Sequence, residues 1–304
     1  MPAPLPLPTR DGVGPSCVAL PAGPWPTIAE FLVQRFAAIP RATWEARMRS
    51  GEVVDEHGVP VTEMRPYQPR LRIYYYRSLE TERRIPFDEV VLFQDEQLLA
   101  VDKPHFLPVT PVGKYVQESL LVRLKRKLGL DDLAPLHRID RETAGVVLFS
   151  VRPETRGIYH ALFAEREITK HYEAIVPWRG EPVLPAVRRS RLVDDAHFMR
   201  MREAPGEPNS ETRFELLEAR EGWARLLLAP LTGRRHQLRV HCAAIGMPIR
   251  NDAIYPELLP EGGEDFERPL QLLAKGLAFR DPVTGVRREF KSARALSLPL
   301  RPKS

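Results

Sequence analysis

The sequence predicts an α+β protein in two parts, a small mixed N-terminal domain followed by a larger β-rich one. Three observations predict it. Helical spacing with capping signals is confined to a few short stretches, β-prone runs recur from Val90 onward, and the polar segment RSLETERRIP separates the two textures.

Residues 1–26 are proline-rich and are expected to form a flexible leader without a packed core. Their opening, MPAPLPLPTRDG, is broken too often by proline to supply the apolar run of a secretory signal. The small domain is expected over residues 27–78. Thr27 and Glu30 form a capping-box pattern, with Ile28, Phe31, Leu32 and Phe36 following at helical spacing. A second helix is expected from Arg41 to Ser50, stopped by Gly51. EVVDEHGVPV reads as a hairpin around His57 and Gly58, and LRIYYYR as a closing strand. Residues 79–87 are the expected linker, and 88–304 the larger domain.

That domain opens with VVLFQDEQLLAVDKP, two apolar runs around a polar turn at Gln94–Gln97. A helix with Pro153 in its first turn and Ile158, Ala161 and Leu162 at core spacing precedes the strand HYEAIVPW. RRSRLVDDAHFMRMREAPGEPNSE is polar and basic, and reads as a mobile arm or long hairpin protruding from the domain. The last clear helix is expected near His236–Ile245, with Leu238, Cys242 and Ile245 on one face and Gly246 and Pro248 ending it.

No apolar run in the 304 residues approaches membrane-spanning length. The two cysteines, Cys17 and Cys242, lie far apart and without partners at metal-ligand spacing, so a reducing cytoplasm is the expected location. A formal net charge of +5 and a pI near 9.3 are compatible with a polyanionic partner.

HRIDRETAGVVLFS, residues 137–150, carries the strongest chemical signal. It sets His137, Arg138, Asp140 and Arg141 in a charged turn ahead of a buried-type strand. Neighbouring arginines favour an ionised aspartate, the form that a nucleophile or general base requires. On these residues alone a structural turn, with Asp140 capping amides and pairing with arginine, is the commoner reading.

The segment resembles the RluA-type pseudouridine synthases, whose histidine, arginine, apolar residue and catalytic aspartate precede threonine-serine-glycine and an apolar strand. Only Ala144 departs, standing where serine is usual. VLFQDEQLLAVDKP, TKHYEAIV, LTGRRHQLRVHCAAIGMPI and DPVTGVRREF resemble further elements of that family in the same order. Other departures are Phe106 for glycine, Thr110 for histidine, Asn251 for the glycine before Asp252, and Leu273 for histidine. Residues 27–76 resemble, more loosely, the alpha-L type RNA-binding domain, with its signal blurred to GEVVDEHG.

The resemblance implies a mixed, largely antiparallel sheet with flanking helices and a central cleft, working on structured ribosomal or transfer RNA without metal or organic cofactor. It implies Asp140 as the catalytic aspartate, Arg239 as its salt-bridge partner, and Tyr172 stacked on the target base. Arg138 would fill the space vacated by a flipped uridine. Arg141, Arg234, Arg235, Arg188, Arg189 and Arg191 are candidates for phosphate contact, the last three on the presumed arm, where a solvated basic run is an equal reading. His137 and Lys170 would support the site, whereas His236 and His241 read as structural histidines.

Two rival functions were open to the residues. A glycosidase would need a second carboxylate, for which Glu142 is the candidate, and a non-catalytic RNA-binding or assembly protein would use only the basic surfaces. The protein is expected to act as a monomer, with neither a membrane nor an obligatory protein partner.

Overall fold

The computed structural model describes residues 8–76, 82–180, 184–260, 265–296 and 298. The first seven leader residues and part of the expected linker lie outside them. The chain divides into two compact units, Met1–Arg83 with Pro111–Glu118 and Val122–Asp131, and Arg84–Thr110 with Ser119–Leu121 and Asp132–Ser304.

In the first unit, β1 (Ser16–Ala19), β2 (Val53–Asp55) and β3 (Arg72–Tyr75) form an antiparallel sheet in the order β1-β3-β2 beside α1 (Ile28–Arg35) and α2 (Arg41–Arg49). Helix α1 starts where it does because the Thr27 hydroxyl accepts the Glu30 amide at 3.2 Å, satisfying one orphan N–H. Its Ile28, Phe31 and Leu32 pack with Trp44 and Met48 of α2 and with Val53 and Ile73 of the sheet. The turn after β2 is held by Asp55, whose Oδ1 accepts the His57 and Val59 amides, both at 2.9 Å. Beyond it the expected second hairpin strand pairs only as a bridge, Val54 to Pro60.

The reading of residues 1–26 as a leader without a core is corrected here. Ser16–Ala19 pairs with β3 in the register Ser16 to Tyr75, and Leu20, 2 % exposed, belongs to the core of this unit. The surrounding prolines masked SCVAL, a short β-prone run that needs no helix and tolerates prolines outside the ladder.

The second unit is built on β4 (Val90–Gln94), β5 (Leu98–Lys103), β6 (Ala134–Pro135), β7 (Ala144–Ser150), β8 (Thr169–Pro177), β9 (Val187–Asp194), β10 (Met201–Ala204), β11 (Ser210–Arg220), β12 (Trp223–Pro230), β13 (Leu272–Arg280) and β14 (Arg287–Lys291). Among the described residues they form one sheet in the order β10-β9-β11-β12-β8-β13-β7-β5-β4, with β14 on β13 and β6 on β7. Every pairing is antiparallel except β7 with β13. That parallel contact needs Gly145, because a Cβ there would lie 2.2 Å from the Ala274 carbonyl oxygen and its φ is +116°.

Three helices complete the chain: α3 (Leu120–Leu128), α4 (Pro153–Ala164) and α5 (Gln237–Ala244). The sequence reading did not anticipate α3, whose buried Leu120, Val122 and Leu124 are interleaved with four basic residues. In α4 the core position is Tyr159 rather than Ile158, which is 49 % exposed, so that assignment was one residue out of phase. Tyr159 also donates to Asp281 at 3.0 Å.

Of the two readings of residues 188–211, a mobile arm or a long protruding hairpin, the structure has the hairpin, but as part of the sheet. β9 pairs with both β10 and β11, and Leu192 and Met201 are buried against Val240 of α5 and Tyr255. Its polar composition hid this because one face of an antiparallel ribbon needs only alternate apolar residues.

Candidate active site

The charged turn Leu136–Thr143 delivers Asp140 to the mouth of β7, closed by the Thr143 amide donating to the Asp140 carbonyl at 3.1 Å. Behind the turn, His137 Nε2 accepts the Leu148 amide at 3.0 Å and the ring stacks on Phe163 at 4.8 Å. Burial pushes the His137 pKa down to about 3, so it is a neutral strut of the turn.

Helix α5 brings Arg239 to the same place. This guanidinium is 2 % exposed and grips Asp252 with two bonds, Nε to Oδ2 at 2.8 Å and Nη2 to Oδ1 at 2.6 Å. Its remaining nitrogen, Nη1, donates to Asp140 Oδ2 at 3.3 Å and lies 3.9 Å from Glu142 Oε2. Burial opposes the charge on Arg239, but the bonds and attraction of Asp252, then Asp140 and Glu142, hold its pKa above the usual arginine value. Arg239 therefore does meet Asp140 as expected, yet its principal partner is Asp252, a residue to which the sequence reading gave no role.

The two aspartates differ in access. Asp252 is sealed, with 0 % of its side chain exposed, and its Oδ1 also accepts the Ile254 and Tyr255 amides at 2.8 and 3.1 Å. Asp140 keeps 25 % of its side chain exposed and its second oxygen outside the Arg239 bond. His236, in a left-handed conformation (φ 53°) at the cap of α5, places Nε2 3.9 Å from Asp140 Oδ2 while Nδ1 shares a 2.9 Å hydrogen bond with the Tyr255 hydroxyl. Burial lowers the His236 pKa, against the opposing pull of Asp140.

Tyr172, on β8 opposite Leu228, packs against the cluster of Ala174, Leu228 and Leu238. Burial, and secondarily the charge of Asp140, raise its hydroxyl pKa, so it stays a neutral phenol. Two residues earlier Lys170 donates to the Thr232 carbonyl at 3.1 Å, bracing the loop that leads into α5.

A second buried cation was missed. Lys103, 0 % exposed at the end of β5, donates to the carbonyls of Pro104, Leu107 and Arg141 at 2.9, 2.7 and 3.0 Å. It ties the 104–107 loop to the residue following Asp140. Burial pulls its pKa down to about 7, an effect that Glu142 and Asp140 only partly offset. His105 adds a second tie, Nδ1 to the Glu142 carbonyl at 2.6 Å. Its sequence signal was visible, a lysine closing the apolar run LLAVDK, but burial of that lysine is decided by long-range contacts.

The remaining candidates separate cleanly. Arg138 is exposed and, among the described residues, is in no hydrogen bond or ion pair. Arg234 and Arg235 are exposed at the entry to α5, Arg234 bonded to the Asn209 carbonyl and Arg235 to that of Phe198. Arg141 is half-buried and paired with Glu142 at 2.9 Å. Arg188 is committed to Glu203 at 2.5 Å and Arg189 to Glu211 at 2.8 Å, while Arg191 bonds the Pro205 carbonyl at 3.2 Å. Acids on neighbouring strands pair with Arg188 and Arg189, while the Arg189 side chain stays 64 % exposed, so the reading of a solvated run still fits it. His241 is a structural histidine held by Thr212, Ser190 and Ser210.

Comparison with known proteins identifies the family. The family described as RNA pseudouridylate synthase matches residues 97–244. The dual-specificity RNA pseudouridine synthase RluA of Haemophilus influenzae is 34 % identical over 199 residues, 64 % of this chain and 88 % of that protein. An uncharacterized RNA pseudouridine synthase of Synechocystis is 29 % identical over 233 residues, covering 74 % of this chain and 78 % of that one. Among solved structures, human RNA pseudouridylate synthase domain containing 1 superposes with a TM-score of 0.56 at 23 % identity, over 70 % of this chain and 86 % of that one, which speaks to the fold. On the strength of these sequence matches, the chain belongs to the RluA-type family of RNA pseudouridine synthases.

Proposed function

We propose that this enzyme isomerises one uridine of a structured ribosomal or transfer RNA, with Asp140 as the group that engages the ribose or the uracil. The observation that carries this reading is the asymmetry around Arg239. One carboxylate, Asp252, is sealed and holds the guanidinium in place, and the other, Asp140, is tethered through one oxygen and open to solvent on its remaining side.

The chemistry needs that division of labour. The bond from uracil N1 to ribose C1′ breaks, the base turns, and a C5–C1′ bond forms while the hydrogen of C5 is replaced by one on N1, so the product is an isomer. A uridine inside a stacked helix must first be extruded. Asp140 then meets it as an anion positioned by Arg239, and positioning of this kind avoids reorganisation at the moment of reaction. Tyr172 offers a neutral ring against which the freed uracil is held while it turns. Arg138, exposed and without a partner among the described residues, is suited to enter the space that the base leaves. Arg234 and Arg235 are the candidates for phosphate contact beside the site. On this reading the enzyme works as a monomer in the cytoplasm; among the described residues no helix is long and apolar enough to cross a membrane.

The test is to map pseudouridine chemically in RNA from cells lacking the protein, and from the same cells given back the wild type or Asp140→Ala. A site lost in the deletion and restored by wild type alone supports both the reaction and the role of Asp140. A site restored equally by both removes Asp140 from the mechanism.

A further inference from the structure

We propose that Phe198, stacked on His197 at the tip of the β9–β10 hairpin, is a platform for an unpaired base of the RNA that flanks the target uridine. The proposal rests on the RNA-modifying function above and adds a residue that selects the substrate.

Phe198 is 78 % exposed and contributes nothing to the core, whereas Leu192 and Met201 of the same hairpin are buried against Val240 and Tyr255. A single exposed aromatic is ordinary in itself. Here the ring lies nearly parallel to His197, with centroids 5.1 Å apart and planes at 25°, so the tip presents one continuous aromatic surface.

The tip is also held still. Asp195 accepts the His197 amide through Oδ1 at 3.1 Å, the Arg200 amide donates to the His197 carbonyl at 2.8 Å, and the Asp195 amide donates to the Arg200 carbonyl at 3.2 Å. Two arginines tether it to the active-site loops: Arg235 Nη2 donates to the Phe198 carbonyl and Arg200 Nη2 to the Pro256 carbonyl, both at 2.8 Å. Arg235 directly precedes His236, whose ring faces Asp140 at 3.9 Å. A rigid aromatic face beside the exposed guanidinium of Arg235, set next to the place where a base is taken out of its stack, matches the chemistry of a single-stranded nucleotide. Stacking takes the base and cations take the phosphate.

The experiment measures binding apart from catalysis, using the full chain carrying Asp140→Ala and fluorescence anisotropy with two RNAs of equal length, a stem-loop and a blunt duplex. Adding Phe198→Ala is expected to weaken the stem-loop by about 5-fold or more, the low end for loss of one stacked base. The duplex, whose base faces are covered, should be unaffected, and Phe198→Trp should bind the stem-loop as tightly as Phe198 does. Thermal melting should show no change, since the side chain supports no packing. If Phe198→Ala leaves the stem-loop unchanged, or weakens both RNAs alike, the platform is overturned while the enzyme reading stands. If the protein with Phe198 intact binds neither RNA, the platform and the RNA reading fail together, and the mapping of pseudouridine in cells decides whether the reaction survives them.

Discussion

Replacing Asp252 with asparagine tests the idea that this sealed carboxylate, and not Asp140, fixes Arg239. Asparagine keeps one oxygen, which retains the bonds to Arg239 Nη2 and to the Ile254 and Tyr255 amides now made by Oδ1 at 2.6, 2.8 and 3.1 Å. Its amide NH2 then faces Arg239 Nε, where Oδ2 now accepts at 2.8 Å, so one charge-assisted bond becomes a donor–donor clash. Removing a partner outright from a buried pair costs about 3–5 kcal/mol, and a charge-assisted bond is worth about 1.5–3. Retention of half the contacts places the loss of stability at about 2–4 kcal/mol.

The kinetic consequence follows from where the guanidinium must turn. With Asp252 neutral, the remaining carboxylates are Asp140 at 3.3 Å and Glu142 at 3.9 Å, both on Nη1, so Arg239 is drawn onto Asp140 and closes the oxygen proposed to engage the substrate. A displacement near 1 Å costs on the order of 100-fold in rate, and the fall should appear in single-turnover pseudouridine formation at saturating RNA, with RNA affinity little changed. Denaturant unfolding supplies the stability arm. A variant that is as stable as wild type, or one that is destabilised but turns over at the wild-type rate once folded, refutes the assignment.

Three further outcomes are expected. His105, His137 and His241 have pKa values pushed down to about 4, 3 and 4 by burial, so on acidification below about 6.5 the unfolded chain takes up three protons that the folded chain refuses. Stability should then fall by up to about 4 kcal/mol per pH unit toward pH 4, and denaturation at stepped pH that showed a flat profile from 6.5 to 4.5 would contradict it. Lys103 has the same sign in a higher window: its folded pKa of about 7 lies below its unfolded value near 10.5, so the cost of burying its charge is fully present below pH 7 and is relieved as pH rises through the interval. Wild type should therefore gain stability between pH 7 and 10 relative to Lys103→Met, which carries no such titration. Gly145→Ala should cost about 3 kcal/mol or more and separate β7 from β13, because the added Cβ meets the Ala274 backbone at 2.2 Å; a melting temperature within a degree of wild type would show that the strands yield freely.

What the sequence made legible was local. The Thr27 cap, the Pro153 start of α4 and the turn at Asp95, whose Oδ1 accepts the Gln97 and Leu98 amides at 2.8 Å, all follow from residues within a few positions of one another. Asp140 and Arg239 stand 99 positions apart, and only the resemblance to a family joined them. Nothing local distinguishes Asp252 from any acidic loop residue, or Lys103 from any lysine after a strand, because their importance comes from being enclosed by distant segments. The same holds for Arg188, whose neutralisation by Glu203 depends on the register of β9 against β10. Strand β1 was lost for another reason, since the composition of its surroundings outweighed four residues whose partner, β3, lies more than fifty positions away.

The departures from the family pattern become intelligible once their backbone is seen. Phe106 and Asn251 both stand where glycine is usual, and both adopt positive φ, 67° and 62°. The usual glycine therefore reports a left-handed backbone that this chain has kept while changing the side chain. Asparagine tolerates that conformation well; phenylalanine does so at a cost of about 1–2 kcal/mol, offset here by ring contacts with Phe266 at 5.1 Å and Phe87 at 6.0 Å. Ala144 and Leu273 replace a serine and a histidine, and they are register partners in the parallel β7–β13 contact, both 0 % exposed. They join Ile175, Leu296 and Leu298 in one apolar cluster. Restoring the usual serine or histidine here would bury a hydroxyl or imidazole among these apolar side chains, at a cost of about 1–3 kcal/mol where it finds no partner, so the apolar residues suit the packing of the strand junction that this chain has.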